Sequence, residues 1–388
     1  MSEWKEYKFS DFVLINPTVK LPTKEQVSFV EMKDLVDGKR FCYPSSTRLN
    51  GGGAKFENRD TLFARITPCL ENGKICQVKD LKNGIGLGST EFLVFRGKHE
   101  VSDSDFVFYL SRWSEVRSHA EINLDGTSGR QRVPRDCFNE LILNLPEDII
   151  EQSAIASVLS SLDDKIDLLH RQNTTLEKMA ETLFRQWFVE EAKEEWEEVL
   201  LEKLGKIVCG KTPSKKVAEY FNGNIPFIKI PDMYGKTFVF DSEDSLTEEG
   251  LNSQQNKTIP PKSICVSCIA TVGLVVMNAK TSQTNQQINS IIPAKDFYRY
   301  FIYLKMLTMK DDLLAMASGG TATDNLNTGN FSKIAIQLPS DTELKAFHET
   351  VNPLFEKIYT NQTQSLTLTA LRHTLLPKLM NGEVRVAI

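Results

Sequence analysis

The sequence predicts an α+β protein built twice: two similar units with curled mixed β-sheets, separated by two long helices that form an antiparallel coiled coil, an internal pseudo-twofold duplication. Three observations predict it. Landmarks recur at one spacing, each copy closes on a Leu-Pro that leads into a heptad pattern, and the stretches between are short β-branched or aromatic runs punctuated by glycine and proline.

The landmarks come first. Glu3-Trp4-Lys5-Glu6 returns as Glu195-Trp196-Glu197-Glu198, and Leu162-Asp163-Asp164-Lys165-Ile166 as Leu354-Phe355-Glu356-Lys357-Ile358, both shifted by 192. CFNELILNLP, ending at Pro146, returns as NFSKIAIQLP, ending at Pro339. Between them the order of features holds: TLFARITPCLENGKICQV faces SICVSCIATVGLVVMN, GLGSTEFLVF faces QTNQQINSII, and the loop GTSGRQRV faces GGTATDNL. These spacings divide the chain into a first unit (1–146), a first helix (147–192), a second unit (193–339) and a second helix (340–388).

The helices follow from periodicity. Ile155, Leu162, Leu169, Leu176 and Leu183 recur every seven residues, with Leu159, Ile166, Asn173, Ala180 and Trp187 each four residues later. That alternation of three and four is a coiled-coil seam. In the second helix Phe347, Leu354, Asn361, Leu368 and Leu375 hold one row and Val351, Ile358, Ser365, Arg372 and Leu379 the other. A whole unit of sequence separates the helices, so they can pair antiparallel, and a helix from Ile155 to Trp187 runs roughly 50 Å. One turn of B-DNA is about 34–36 Å. Asn173 is placed to fix register, as buried polar seam residues do.

Composition excludes whole classes. With 388 residues, 41% hydrophobic and 25% charged, the chain has the balance of a globular protein rather than a disordered or fibrous one. Its longest uncharged apolar stretch, Ile264 to Met277, falls short of the ~20 residues a membrane span needs, and the N-terminus lacks an apolar signal core, so a cytoplasmic, membrane-free protein is expected. Seven scattered cysteines fit reduced thiols, and Cys265 and Cys268, in an apolar strand-like run, have no second ligand pair for a metal. The net charge of −5 is concentrated in 147–192, where 10 acidic residues face 4 basic ones, and both units are close to neutral. A basic face on either unit is therefore compatible with the acidic total.

Tandem variable units, LxLP entry into a heptad helix, a second copy of both, the segment GKTPSKKVAEYFNGNIPFIKIPDM at 210–233, and TLFRQWF matched by TLLPKLMNGEVRV resemble the specificity subunits of Type I restriction-modification systems. The resemblance spans essentially the whole chain. It implies two target recognition domains, each reading half of a bipartite site on double-stranded DNA, joined by helices that act as a spacer. It also implies two modification subunits that bind S-adenosylmethionine and methylate adenine, and restriction subunits that use ATP and Mg to translocate and cut. No cofactor and no metal are expected in this subunit, which is not an enzyme on this reading. The Asn/Asp-Pro-Pro-aromatic motif of adenine methyltransferases is absent, since Ile259-Pro260-Pro261-Lys262 has only the prolines, and the five histidines show no triad pattern.

Affinity for DNA comes mainly from phosphate contacts, and sequence is read by bidentate groups at base edges. In the first unit the candidates are Lys55, Arg65, Lys74 and the loop Thr127-Ser128-Gly129-Arg130-Gln131-Arg132. In the second they are Lys211, Lys215 and Lys216 for phosphates, then Asn285, Gln286, Gln287 and Asn325 for bases. Residues 1–146 contain ten arginines and 193–339 only Arg299, while the second unit clusters amides. This contrast predicts guanine contacts for the first half-site and adenine contacts for the second. Two alternatives stand beside this reading. Gly205 to Thr212 satisfies the P-loop expression of a nucleotide-binding protein, and the heptads alone would serve a coiled-coil adaptor.

Overall fold

The structure, a computed structural model, describes residues 3–49, 51–127, 129–318 and 324–387. Ser128 and residues 319–323 of the paired Gly/Thr/Ser loops lie outside them. The chain forms two compact units, one from residues 1–169 with 364–388 and the other from 170–363. Each unit thus takes part of both long helices along with its sheets, whereas the boundaries read from the sequence assign each helix a segment of its own.

In the first unit a five-stranded sheet has the spatial order Val13–Ile15, Phe92–Gly97, Thr61–Ala64, Ile75–Val78, Phe41–Cys42, antiparallel except for the last, parallel pair. Side chains alternate across it because a strand repeats every two residues. Phe63, Ile75, Leu93 and Phe95 enter a core with the helices Ser104–Arg112 and Ser114–Ile122, and Leu62, Cys76, Val78 and Val94 enter a second core on the opposite face. A sheet covered on both sides explains why TLFA and ICQV are buried at every position instead of alternating with polar residues. Asp103 starts the first of these helices by accepting from the backbone N–H groups of Asp105 and Phe106, both at 2.9 Å. A second, four-stranded sheet runs Ser46–Leu49, Gln26–Val30, Ile85–Gly88, Ala54–Glu57.

The second unit repeats this plan strand for strand: Gly205–Cys209, Ile288–Pro293, Ile264–Ser267, Val275–Asn278, Phe238–Val239, again with one parallel pair at the end. Its alternation is the same, Ile264, Val266 and Ile291 on one face and Cys265, Val276 and Ile288 on the other. The smaller sheet keeps three strands, Ser245–Leu246, Phe221–Ile228 and Gln283–Thr284. The closing ladder is conserved in register. Lys5 pairs with Leu145 in the first unit, and Glu197 pairs with Leu338 in the second.

Each closing strand feeds a long helix. The first, Ile149–Arg185, starts where Asp148 accepts from Ile150 N at 2.8 Å and ends in a wider turn over Gln186–Glu190. The second, Asp341–Met380, starts at a capping box, with Glu343 accepting from Ser340 N at 2.9 Å and Ser340 accepting from Glu343 N at 3.3 Å. Within each unit the helices run antiparallel. In the first, Glu151 meets Arg385 and Asp163 meets Arg372; in the second, Asn173 meets Asn361 and Phe184 meets Phe347.

The two heptad rows are not equally deep. Leu159, Ile166, Asn173, Ala180, Val351, Ile358, Ser365, Arg372 and Leu379 are buried, as are Ile155 and Leu169, but Leu162, Leu176, Leu183, Leu354, Leu368 and Leu375 are half-buried. Asp163 and Phe355, outside both rows, are buried instead. Each helix packs against its unit as well as its partner helix, and that second contact rotates the buried line away from the heptad positions.

Candidate nucleic-acid interface

The predicted loop 130–132 and the predicted amides 285–287 turn out to occupy one structural site, present once per unit. In the first unit the site gathers the end of strand Thr61–Ala64, the turn Ser89–Glu91 and the segment Arg130–Arg135. Arg65 N donates to Glu91 O at 3.0 Å, Val133 N to Arg65 O at 2.8 Å, and Ile66 bridges Arg132. In the second, Cys268 N donates to Gln287 O at 2.8 Å, Leu326 N to Cys268 O at 2.8 Å, and Ile269 bridges Asn325. The turns match too. Ser89 Oγ accepts from Glu91 N at 3.2 Å, and Asn285 Oδ1 accepts from Gln287 N at 3.1 Å. Arg132 and Asn325 are therefore counterparts, as are Glu91 and Gln287.

The frames agree and the chemistry does not. In the first unit Glu91 accepts from Arg132 Nε and Nη2 at 2.9–3.0 Å, which orients the guanidinium edge, and Arg132 Nη1 donates to Arg130 O at 3.2 Å. Burial lowers the pKa of Arg65, with Arg135 and Arg132 adding to the effect and Glu91 opposing it. Among the described residues its Nε is buried without a hydrogen-bond partner. Arg65 thus stands within reach of the charges of Arg132, Arg135 and Glu91, three cations with one anion inside a near-neutral unit. Arg130 is exposed and Gln131 half-buried, with its backbone tied to Thr67 by Gln131 N to Thr67 Oγ1 at 3.0 Å. Lys55 lines an adjoining cleft of about 340 Å³ together with Thr90 and Arg135.

The second site carries amides. Asn325 and Gln286 are exposed, and Gln286 accepts from Thr212 Oγ1 at 2.9 Å. Gln287 is half-buried, and its side chain accepts from Asn285 Nδ2 at 2.9 Å. Lys211, Lys215 and Lys216 are exposed.

Two of the predicted residues serve the frame. Lys74 donates to Met32 O at 2.9 Å, which holds its ammonium on the protein. Asn285 is buried and closes the turn with both ends of its amide, so its edge does not face solvent. The P-loop expression also fails. Gly205–Cys209 is an extended strand paired with Ile288–Pro293, and no helix opens at Lys211. Its glycines answer close backbone approach, since a Cβ at Gly205 would stand 2.4 Å from Ile292 O and one at Gly210 2.1 Å from Asn285 O.

Glu91, Thr90 and Arg135 were not among the predicted residues. The signal for Thr90 and Glu91 lay in the pairing of GLGSTEFLVF with QTNQQINSII, which brings Ser89-Thr90-Glu91 onto Asn285-Gln286-Gln287 once strands Phe92–Gly97 and Ile288–Pro293 are superposed.

A family profile for the Type I restriction modification DNA specificity domain matches residues 1–178 and again 193–369. The specificity subunit of Type I restriction enzyme HindI from Haemophilus influenzae is 34% identical, over 99% of this chain and all of that one. The MjaIX specificity subunit from Methanocaldococcus jannaschii is 27% identical, over 73% of this chain and 69% of that one. The crystal structure of the S subunit of a Type I restriction-modification system from M. genitalium shares the fold, with a TM-score of 0.57 and 15% identity over 98% of this chain and 96% of the other. No helix among the described residues is long and apolar enough to cross a membrane.

Proposed function

The chain belongs to the family of Type I restriction-modification specificity subunits, and from that premise we propose that its two equivalent sites read the two halves of a split, asymmetric site on double-stranded DNA. The observation that carries this reading is the pairing of Arg132 with Asn325 at one position of a duplicated frame. Arginine presents two parallel donors that suit guanine O6 and N7, and asparagine presents a donor and an acceptor that suit adenine N6 and N7. Glu91 orients Arg132, and the exposed lysines Lys211, Lys215 and Lys216 serve phosphates.

On this reading the subunit recognises DNA and does no chemistry of its own. It works in the cytoplasm, with two modification subunits bringing S-adenosylmethionine and restriction subunits bringing ATP and Mg. The test is to map methylated adenines in cells with and without this chain. A bipartite motif that disappears with the chain supports the proposal, and an unchanged methylation pattern overturns it. Selection of bound sequences from a random pool, with the modification subunit present, then assigns the halves. Arg132→Ala relaxes one base in one half and Asn325→Ala one base in the other.

A further inference from the structure

The duplication poses a pairing problem that the buried polar residues of the helices solve. In the first unit Asp163 and Arg372 form an ion pair in which both residues are more than nine-tenths buried. Tyr109 Oη donates to Asp163 at 2.7 Å, and Arg372 Nη1 donates also to Gly38 O at 3.0 Å. The 192-residue shift carries Asp163 onto Phe355 and Arg372 onto Ala180, and the match of Phe108-Tyr109-Leu110 with Ile302-Tyr303-Leu304 carries Tyr109 onto Tyr303. In the second unit Tyr303 and Phe355 meet edge to face at 5.6 Å, and Ala180 is buried in the same core. At these two helix positions one unit thus has an ion pair where its copy has phenylalanine and alanine.

A second asymmetry lies on the same seam. Asn361 donates to Asn173 at 2.9 Å, both buried, in the second unit. The shift carries this pair onto Ser365 and Leu169.

Because the helices are copies, each has two antiparallel partners available: the other helix of its own chain, or the same helix of a second chain. Joined like with like, first helices would set Asp163 against Ala180 and Asn173 against Leu169. Second helices would set Arg372 against Phe355 and Asn361 against Ser365. The second arrangement buries the Arg372 guanidinium against an aromatic ring, the first takes Asp163 away from its direct partner and leaves it Tyr109 and the nearby charge of Arg112, and the first also buries an amide against an aliphatic side chain, all of which are disfavoured. Only first against second satisfies both contacts. We propose that Asp163–Arg372 and Asn173–Asn361 form a pairing key that commits the first helix to the second and excludes the same helix of another copy of this chain. The key acts through the penalty on the wrong partner rather than through stability gained with the right one.

The test uses the full chain, unfolded and refolded at micromolar concentration. Light scattering reads the fraction of dimer, and cross-linking mass spectrometry reads which helix faces which. Wild type refolds to monomer with first-to-second links. The double variant Asp163→Phe/Arg372→Ala transplants the second unit's solution into the first, and Asn173→Ser/Asn361→Leu does the reverse for the amide pair. Each raises the dimer fraction about tenfold, with first-to-first and second-to-second links. The proposal is overturned if both double variants refold to the wild-type dimer fraction, or if their dimers carry only first-to-second links. Where one variant does not refold, the other decides; if neither refolds, the pairs are needed for folding itself and the key is rejected.

Discussion

The two units share a strand order, a closing register and a loop site, yet they differ where a copy would be expected to differ least, in the interior. Beside Tyr109 two helix positions of the first unit bury a carboxylate and a guanidinium, while the equivalent positions of the second bury phenylalanine and alanine. At the loop site the same frame holds Arg132 against Glu91 in one copy and exposed Asn325 in the other. The comparison teaches that backbone hydrogen bonds and alternation of strand residues constrain the duplication, and that side-chain chemistry attached to this frame is free to diverge as long as each buried polar group finds a partner.

The largest way to break the comparison is to remove one member of the ionic cluster. Arg372→Ala removes the direct ion-pair partner of Asp163, leaves it Tyr109 and the nearby charge of Arg112, and is expected to cost about 3 kcal/mol in denaturant unfolding. The Asp163→Phe/Arg372→Ala chain recovers most of that loss, because an apolar replacement of a buried ion pair is often neutral or stabilising. Equal destabilisation by the single and double variants would show that the ion pair is not what holds this interior together. Burial, with Asp163 adding to it, drives the phenol of Tyr109 far above its ordinary range, so alkaline titration should leave this tyrosine protonated until the unit unfolds.

Next in size are the proposed readers. Arg132→Ala and Asn325→Ala are each expected to lose about 1–3 kcal/mol of discrimination at one base pair, in different halves of the site. Sequencing of bound DNA pools checks this, and loss in the same half for both would break the assignment of one unit to each half. Glu91→Gln keeps the shape of the first site while removing the carboxylate that orients Arg132, and it makes the first site resemble the second, where Gln287 stands. Its effect should be confined to the base proposed for Arg132.

Smaller and more uniform are the effects expected at the proposed phosphate contacts. Lys215→Ala weakens binding evenly across sequences and lowers the slope of affinity against salt by about 1. The smallest effect concerns the start of the second helix, where a hydrogen bond from Lys193 holds Glu343 down at about 2. A carboxylate whose folded pKa lies below its unfolded value contributes stability that is present above the ordinary value near 4.5 and is lost as pH falls toward 2. Glu343→Gln should therefore flatten the dependence of melting temperature on pH within that window and leave it unchanged near neutrality. At the equivalent position of the first helix Glu151 pairs with Arg385 instead of a lysine.

Much of this plan was legible in one dimension. The shift of 192 at Trp4 and Trp196 gave two units, Leu145-Pro146 and Leu338-Pro339 marked where strand passes to helix, and the heptads gave the helices. The loop at Arg132 and the cluster at Gln287 were both visible as candidates, but not as one site, because strands nearly two hundred residues apart had to be superposed first. Lys74 and Asn285 show the converse. Both have the right chemistry for DNA, and only their partners, Met32 O and Gln287, reveal that they hold the frame.

What the sequence determined by itself is therefore what depends on local pattern: the period of strands and helices, the count of units and their order. Tertiary structure decided which polar groups face one another. Asp163 stands in sequence as one more charge on an acidic helix, and Arg372 as an interruption of a seam. Their meaning comes from the chain folding back across a sequence separation of 209 to place them together beside Tyr109. Burial removes the water that would otherwise satisfy each charge, so the partner across the seam, and not the residue alone, fixes what the position does.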